Sequence, residues 1–358
     1  MKVVIVGAGP AGLITALNLI QRGITPLILE KDPVIRSTAC AEACDFQSLD
    51  KVPFNSNPYI CRRVKGVKLI FPSGASGHFD KEAVVLDRTS WLRGMAKEVE
   101  TKGAEIRLNS DVIAIEENSV RLRSSEEIGY HILIGADGPN SRIARYLGVK
   151  HKTLIASQYK LAFDTSSMDY LETYFDKRFS PGYSWIFPKD GVINIGVAGD
   201  FAHLDAFLGY KGLDDCKIME REAGIIPYSG IKKLVKQNIA LIGDSASMPN
   251  PASLGGLTPI IHASQVLASN IDSLEDYERE VKNHPLADPV LVKAGRALAE
   301  LNNEDLMNLG KLLAGVQQAG LSFSSAIKAA KHNLSLLPKI NKLRTIYKAG
   351  RIALDYGW

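Results

Sequence analysis

No run of about 18 uncharged apolar residues occurs in the 358-residue chain, so a conventional membrane-spanning helix is not expected. The first apolar run, Val3 to Val6, is too short for a secretory signal and breaks at once into glycines. The expected location is therefore the cytoplasm, with peripheral attachment to a membrane left open. Cysteine is scarce, with four residues in all. Cys40, Cys44 and Cys61 lie close in sequence, Cys216 stands apart, and His78 is too distant to complete a zinc pattern, so no metal is expected. A disulfide among Cys40, Cys44 and Cys61 stays open, because spacing does not reveal connectivity. The net charge of +4 is slight and argues against nucleic acid as a partner. There is no internal repeat, no low-complexity block and no second glycine fingerprint in a complete βαβ setting, so a separate nicotinamide domain is not expected.

What the chain does have is a concentrated signal at its start. Met1 to Leu13 reads MKVVIVGAGPAGL, an apolar strand that opens into Gly7-Ala8-Gly9-Pro10-Ala11-Gly12 and continues as a helix pattern through Leu13, Ala16, Leu17 and Leu19. In such a turn Gly7 allows the sharp bend, Gly9 lets backbone approach a pyrophosphate, and Gly12 lets helix and strand pack closely. The helix start adds free N–H groups and a partial positive charge. A second apolar run, Pro26 to Leu29, ends in Glu30 and Lys31, at the distance where an acidic residue takes ribose hydroxyls. A cofactor pyrophosphate is expected on this turn.

Two further apolar strands end in small or acidic residues. His131 to Ile134 runs into Gly135-Ala136-Asp137-Gly138, and Asn238 to Ile242 runs into Gly243-Asp244. Between the first and second of the three strand ends, Val64 to Phe79 predicts a hairpin around Pro72-Ser73-Gly74, and a helix is expected from Asp87-Arg88 to about Lys102 with Thr89 or Ser90 as its N-cap. From Tyr159 to Val197 short alternating segments predict a β domain, with Phe187-Pro188-Lys189-Asp190-Gly191 as one hairpin turn. A helix follows from Thr258 or Pro259 to about Ser269, and the chain from Leu274 onward is mostly helical.

Three such strand ends in this order, with a β domain between the second and third, resemble the FAD-dependent hydroxylase and reductase superfamily, which has a glutathione-reductase-type Rossmann fold. The resemblance implies an α/β protein with three parts. These are a three-layer FAD-binding Rossmann-type domain (1–150 with 235–275), an inserted antiparallel β-sheet substrate domain (151–234) and a helical C-terminal region (276–358). It also implies that FAD is held by Gly7, Gly9, Pro10, Ala11, Gly12, Glu30 and Lys31, with Arg88 beside the pyrophosphate. Val112 would offer backbone to the adenine. Asp244, after Gly243, would bind the pyrophosphate or ribityl chain, and Asp137-Gly138 would be an edge on which phosphate or ribose can rest. Ala39, Ala41, Gly255, Gly256 and Leu257 would line the flavin, where backbone N–H groups face the pyrimidine.

Within that superfamily, Pro181-Gly182-Tyr183-Ser184-Trp185-Ile186-Phe187-Pro188 is similar to the Tyr-x-Trp-x-Phe-Pro signature of the geranylgeranyl reductases, and Cys40-Ala41-Glu42 sits where that family places a cysteine beside the flavin. Ser247 departs from the family pattern by standing where a glycine is usual. The resemblance implies an FAD-dependent oxidoreductase that reduces isoprenoid double bonds of a hydrophobic lipid. Cys40 would be a proton donor or tune the flavin, and it reads equally as an inert buried thiol. Tyr183, Trp185 and Phe187 alternate, so they share one face of a strand, as an apolar wall for a polyprenyl chain or as ordinary sheet core. Rival readings are a monooxygenase or halogenase of a hydrophobic substrate, and a flavin-bound lipid-binding or sensor protein without turnover. The electron donor is open between a ferredoxin and NAD(P)H. From Lys328 to Arg351 the chain carries Lys331, Lys339, Lys342, Arg344, Lys348 and Arg351 without an acidic residue, interleaved with Leu336, Leu337, Ile340 and Leu343. This is either a membrane-surface helix or a solvated helix packed by one face.

Overall fold

The computed structural model describes residues 1–37, 39–319 and 339–357. Its first body is built on a six-stranded sheet in the order Val235–Lys236, Ile239–Leu241, Ile132–Gly135, Val3–Val6, Leu27–Leu29, Glu105–Arg107, parallel except at the Val235–Lys236 edge. Val3–Val6 and Ile132–Gly135 are buried at every position, as expected of parallel strands covered on both faces. Helix Pro10–Gln21 packs on both Arg88–Thr101 and Leu257–Ser269, and a three-stranded meander sends Val120, Leu122 and Ile128 into the same core. This is the three-layer FAD-binding fold that the motifs imply. The long helix begins two residues earlier than a Thr89 cap would place it and three earlier than a Ser90 cap would. Asp87 is the N-cap, accepting from the Ser90 N–H at 3.0 Å and the Ser90 hydroxyl at 2.7 Å, because a carboxylate serves two orphan donors at once.

The second body is a seven-stranded sheet in the order Ile218–Pro227, Thr153–Ala162, Val192–Val197, Ser184–Lys189, Tyr170–Tyr174, Gly66–Ile70, Ser76–Phe79. The hairpin at 66–79 forms as expected, and it joins this sheet from a distant part of the chain. It enters with Gly66–Ile70 parallel to Tyr170–Tyr174, the one parallel pair in an otherwise antiparallel sheet. Helix Phe201–Lys211 covers one face, where Phe207 and Leu204 meet Tyr159, Leu161, Ile193 and Ile195. The turn expected over Phe187–Gly191 is shorter. The strand continues to Lys189, and Asp190-Gly191 turns, with Gly191 at φ 64°. Pro188 is tolerated inside the strand because pairing with Tyr170–Tyr174 stops at Ile186, so no neighbour on that side needs its missing N–H.

A three-stranded sheet, Ala43–Asp45, Ala83–Leu86 and Ile60–Val64, joins the two bodies by packing on Ser184–Lys189 through Val64, Ala83, Val85, Leu171 and Phe187. The C-terminal helix Ile340–Tyr356 packs against Pro289–Glu300, with Lys342 on Glu300 at 2.6 Å and Lys339 on Asp305. Part of the basic stretch is thus engaged by the protein itself; Lys331, Leu336 and Leu337 lie outside the described residues. Among the described residues no helix is long and apolar enough to cross a membrane. All four cysteines are free thiols.

Candidate functional site

The three strand ends singled out in the sequence are neighbours in the sheet, since Ile239–Leu241, Ile132–Gly135 and Val3–Val6 pair in that order. Their turns touch. Gly7, at φ 104°, abuts the backbone of Ala136 and Asp137, and Gly243 packs on the Ala11 methyl. Gly12 is obligatory, because a Cβ there would lie 1.9 Å from the Gly7 carbonyl oxygen. Gly9 is different: a Cβ there meets nothing within 4 Å. Gly9 is also the N-cap of Pro10–Gln21 and supplies no capping side chain, so the first amides of that helix face open space.

Glu30 lies against this turn, its carboxylate accepting from the Ala8 N–H at 2.7 Å and the Asp32 N–H at 3.0 Å. Lys31 is exposed beside it. The Ser110 N–H bonds to the Glu30 carbonyl at 2.7 Å, which brings the buried Val112 to the same end of the sheet. The Asp137 carboxylate caps the short helix Arg142–Tyr146 through the Ser141 hydroxyl at 2.6 Å and the Arg142 N–H at 2.8 Å. Burial raises its pKa and these hydrogen bonds pull it back. Asp137-Gly138 therefore meets the glycine turn with backbone, as its carboxylate is already engaged.

Arg88 begins its helix only 6% exposed, with its guanidinium over the Trp91 ring at 4.8 Å and Nη1 without a hydrogen-bond partner among the described residues. An unsatisfied cation in that position is costly unless an anion arrives. Burial pushes the Asp244 carboxyl up to about 6, against the opposing pull of Arg88. Gly256 lies next to Asp244, and it starts helix Leu257–Ser269 without a capping side chain, so backbone N–H groups of that helix are also unclaimed. The loop before it is tightly folded: Asn250 caps the Ala252 N–H at 2.9 Å, and Leu254 is held at φ 59°. Ser247 has φ 55°, the left-handed backbone that explains the usual glycine, and its hydroxyl bonds to Ser229 at 3.1 Å.

Cys40 and Ala41 lie on the second sheet. Gln158 donates to the Cys40 carbonyl and Asn194 to the Ala41 carbonyl, each at 3.0 Å, while Ala39 packs on Gly224. Tyr183, Trp185 and Phe187 do share a face, with ring centroids 5.9 and 6.5 Å apart, and Phe175 and Phe71 extend the row with spacings of 6.0 and 5.4 Å. The row is not free of core duties, as Phe187 packs on Val64 and Val85. The Tyr183 hydroxyl donates to the Ser253 carbonyl at 2.5 Å, tying the row to the loop that carries Gly255 and Gly256.

Residues 1–50 match the family model described as an FAD binding domain. The chain is 29% identical over 389 residues to the digeranylgeranylglycerophospholipid reductase of Methanosarcina acetivorans, with 94% of each chain covered. This chain is an FAD-dependent oxidoreductase, homologous to such reductases. The flavoprotein's fold also matches a geranylgeranyl bacteriochlorophyll reductase-like protein of Thermoplasma acidophilum, with a TM-score of 0.77 and 24% identity over 92% of this chain and 95% of that one. A probable FAD-dependent monooxygenase of Pseudomonas aeruginosa shares the fold at a TM-score of 0.70 and 16% identity, covering 89% of this chain and 99% of its own. Fold alone therefore does not choose between reduction and oxygenation. The flavoprotein's residues are compatible with FAD: Arg88 Nη1 lacks a hydrogen-bond partner among the described residues, the first helix starts without a capping side chain, and the space over Gly9 is open. Sequence reading did not single out Gln158, Lys160 and Lys189, whose signal was a polar side chain within a strand, and it noted Asn194 only as part of the segment that follows the aromatic signature.

Proposed function

We propose that the flavoprotein saturates isoprenoid double bonds of a polyprenyl lipid. The aromatic row running from Phe71 to Phe187, tied to the Gly255-Gly256 loop by Tyr183, carries this reading. FAD, when bound, supplies hydride to one alkene carbon. In this reading Gly7, Gly9, Pro10, Ala11 and Gly12 present the pyrophosphate with backbone, and Arg88 answers its charge. Glu30 and Lys31 border the ribose, and Val112 the adenine. Asp137, Gly138, Gly243 and Asp244 line the path towards Gly255, Gly256 and Leu257, whose amides stabilise negative charge. Residues 151–234 with the hairpin at 66–79 form the substrate side, where Tyr183, Trp185 and Phe187 exclude water from an apolar chain. Cys40 is the candidate donor of the proton that the second alkene carbon needs. A lipid substrate resides in a membrane, so peripheral contact with its surface belongs to the same reading, as does recharging by either a ferredoxin or NAD(P)H.

The test mixes anaerobically reduced protein with a polyprenyl glycerol lipid. Lipid-dependent flavin reoxidation, with about two mass units gained per double bond, is the expected result. Oxygen consumption coupled to a hydroxylated product would replace the reductase reading with the oxygenase one.

A further inference from the structure

Glu42 is a buried carboxylate, only 3% exposed, and it sits at φ 65°, a backbone conformation that a non-glycine residue holds only when its surroundings enforce it. A charge in that position needs partners. Lys189 Nζ donates to Oε2 at 2.8 Å, Asn194 Nδ2 reaches the same oxygen at 3.2 Å, and Lys160 Nζ lies 3.6 Å from Oε1. Lys160 also binds Glu220 at 2.7 Å and Glu222 at 3.3 Å. Burial works against its charge, but these carboxylates together hold its pKa well above the usual lysine range.

The clamp follows from strand register. Gln158 and Lys160 are two apart on one strand and so share a face, Asn194 stands directly opposite Lys160, and Phe187, two residues before Lys189, stands opposite Asn194 from the other side. These side chains seize consecutive residues of one loop: Gln158 holds the Cys40 carbonyl, Asn194 the Ala41 carbonyl, and the two lysines the Glu42 carboxylate. Gln158 also accepts from the Trp185 indole at 3.0 Å, linking the loop to the aromatic row. Held this way, the Glu42 N–H points back at the Cys40 sulfur at 3.3 Å.

From this geometry we infer that Glu42 is a positioning residue, whose carboxylate, clamped between Lys160 and Lys189, locks the Cys40 loop in the left-handed turn that aims the Cys40 thiol. The inference rests on the reading that Cys40 works beside the flavin. Removing the carboxylate releases the turn and leaves Lys189, half-buried with its side chain 17% exposed, without the carboxylate it bonds to.

Glu42→Gln is expected to lower kcat by about 10- to 100-fold with KM unchanged, as small misplacements at a reacting centre do. It is also expected to lower the melting temperature. The double variant Glu42→Gln with Lys189→Met removes the stranded cation, so the melting temperature recovers while kcat stays low. Recovery of kcat together with stability would show a merely structural role and overturn the inference, as would an unchanged kcat in Glu42→Gln. Hydrogen exchange of FAD-loaded protein without lipid gives an independent readout. Residues 39–43 should exchange about tenfold faster in both variants, with the glycine turn at 7–12 unaffected. Unchanged exchange over 39–43 overturns the clamp whatever the substrate proves to be. Failure of the wild type to reduce any polyprenyl lipid overturns the lipid reading and leaves the exchange result standing.

Discussion

At the scale of the residue, Arg88 is the proposed partner of a cofactor pyrophosphate. Its guanidinium is buried, and Nη1 has no hydrogen-bond partner among the described residues. Folding without cofactor therefore carries an unpaid desolvation term, and a charge-assisted hydrogen bond to a pyrophosphate relieves it. Arg88→Met should weaken FAD retention by about 10- to 100-fold, corresponding to about 1.5–3 kcal/mol for a hydrogen bond to a charged group. The apo-protein should lose no melting temperature, because the orphaned cation has gone. Flavin content after dialysis and apo melting curves measure the two effects separately. Ser247 makes the opposite point: a left-handed backbone is usually given to glycine, and here a hydroxyl bonded to Ser229 holds a serine in it. The glycine fingerprint and Glu30 were legible because backbone geometry limits which residues fit. Arg88 was singled out through resemblance alone, and its unbonded Nη1 became visible only in three dimensions.

At the scale of elements, the first turn separates folding from binding. Gly12→Ala drives a methyl into the Gly7 carbonyl, so it should destabilise the protein by about 3 kcal/mol and abolish flavin binding. Gly9→Ala meets no protein atom, so its melting temperature without FAD should match wild type while affinity for FAD falls. Thermal unfolding with and without FAD distinguishes the pair. Helix Leu257–Ser269 carries a second element-scale device, in which the His262 ring stacks on His284 at 3.7 Å and Tyr356 of the last helix meets His284 edge-on at 5.2 Å. Burial, then the charges of His284 and Lys51, lower the His262 pKa from 6.5 to about 4. His284 is lowered by burial and by Lys51, and its Nδ1 accepts from the Leu286 N–H, which requires that nitrogen unprotonated. The unfolded chain thus binds more protons than the folded one between these values. The stability these groups contribute is complete above about 6.5 and is lost as the pH falls towards about 4. His262→Gln should flatten that acid loss, read as a smaller drop in melting temperature between neutral pH and about pH 5.

At the scale of the whole molecule, the chain builds its two large sheets from interleaved segments, and the candidate site draws residues from both. The Cys40 loop leaves the cofactor-binding body and is fastened to the second sheet by Gln158, Asn194 and Lys189. Tyr183 reaches back to Ser253. Tyr183→Phe should lower stability by about 1 kcal/mol in urea unfolding, the net worth of one hydrogen bond, without changing how much flavin the protein holds. By itself the sequence determined the strand-turn-helix that takes a pyrophosphate, the order of the three strand ends, and the aromatic alternation in 183–187. These are local rules, of φ above zero, helix start and period two, which neighbours in the chain enforce. Only the tertiary structure decided that 66–79 would complete the second sheet, that Lys189 would end a strand rather than sit in a turn, and that Glu42 would be clamped by lysines from two strands. Such pairings join residues more than 100 positions apart, as Lys160 and Lys189 do with Glu42, and are set by sheet register and the need to neutralise a buried charge, which no local pattern encodes.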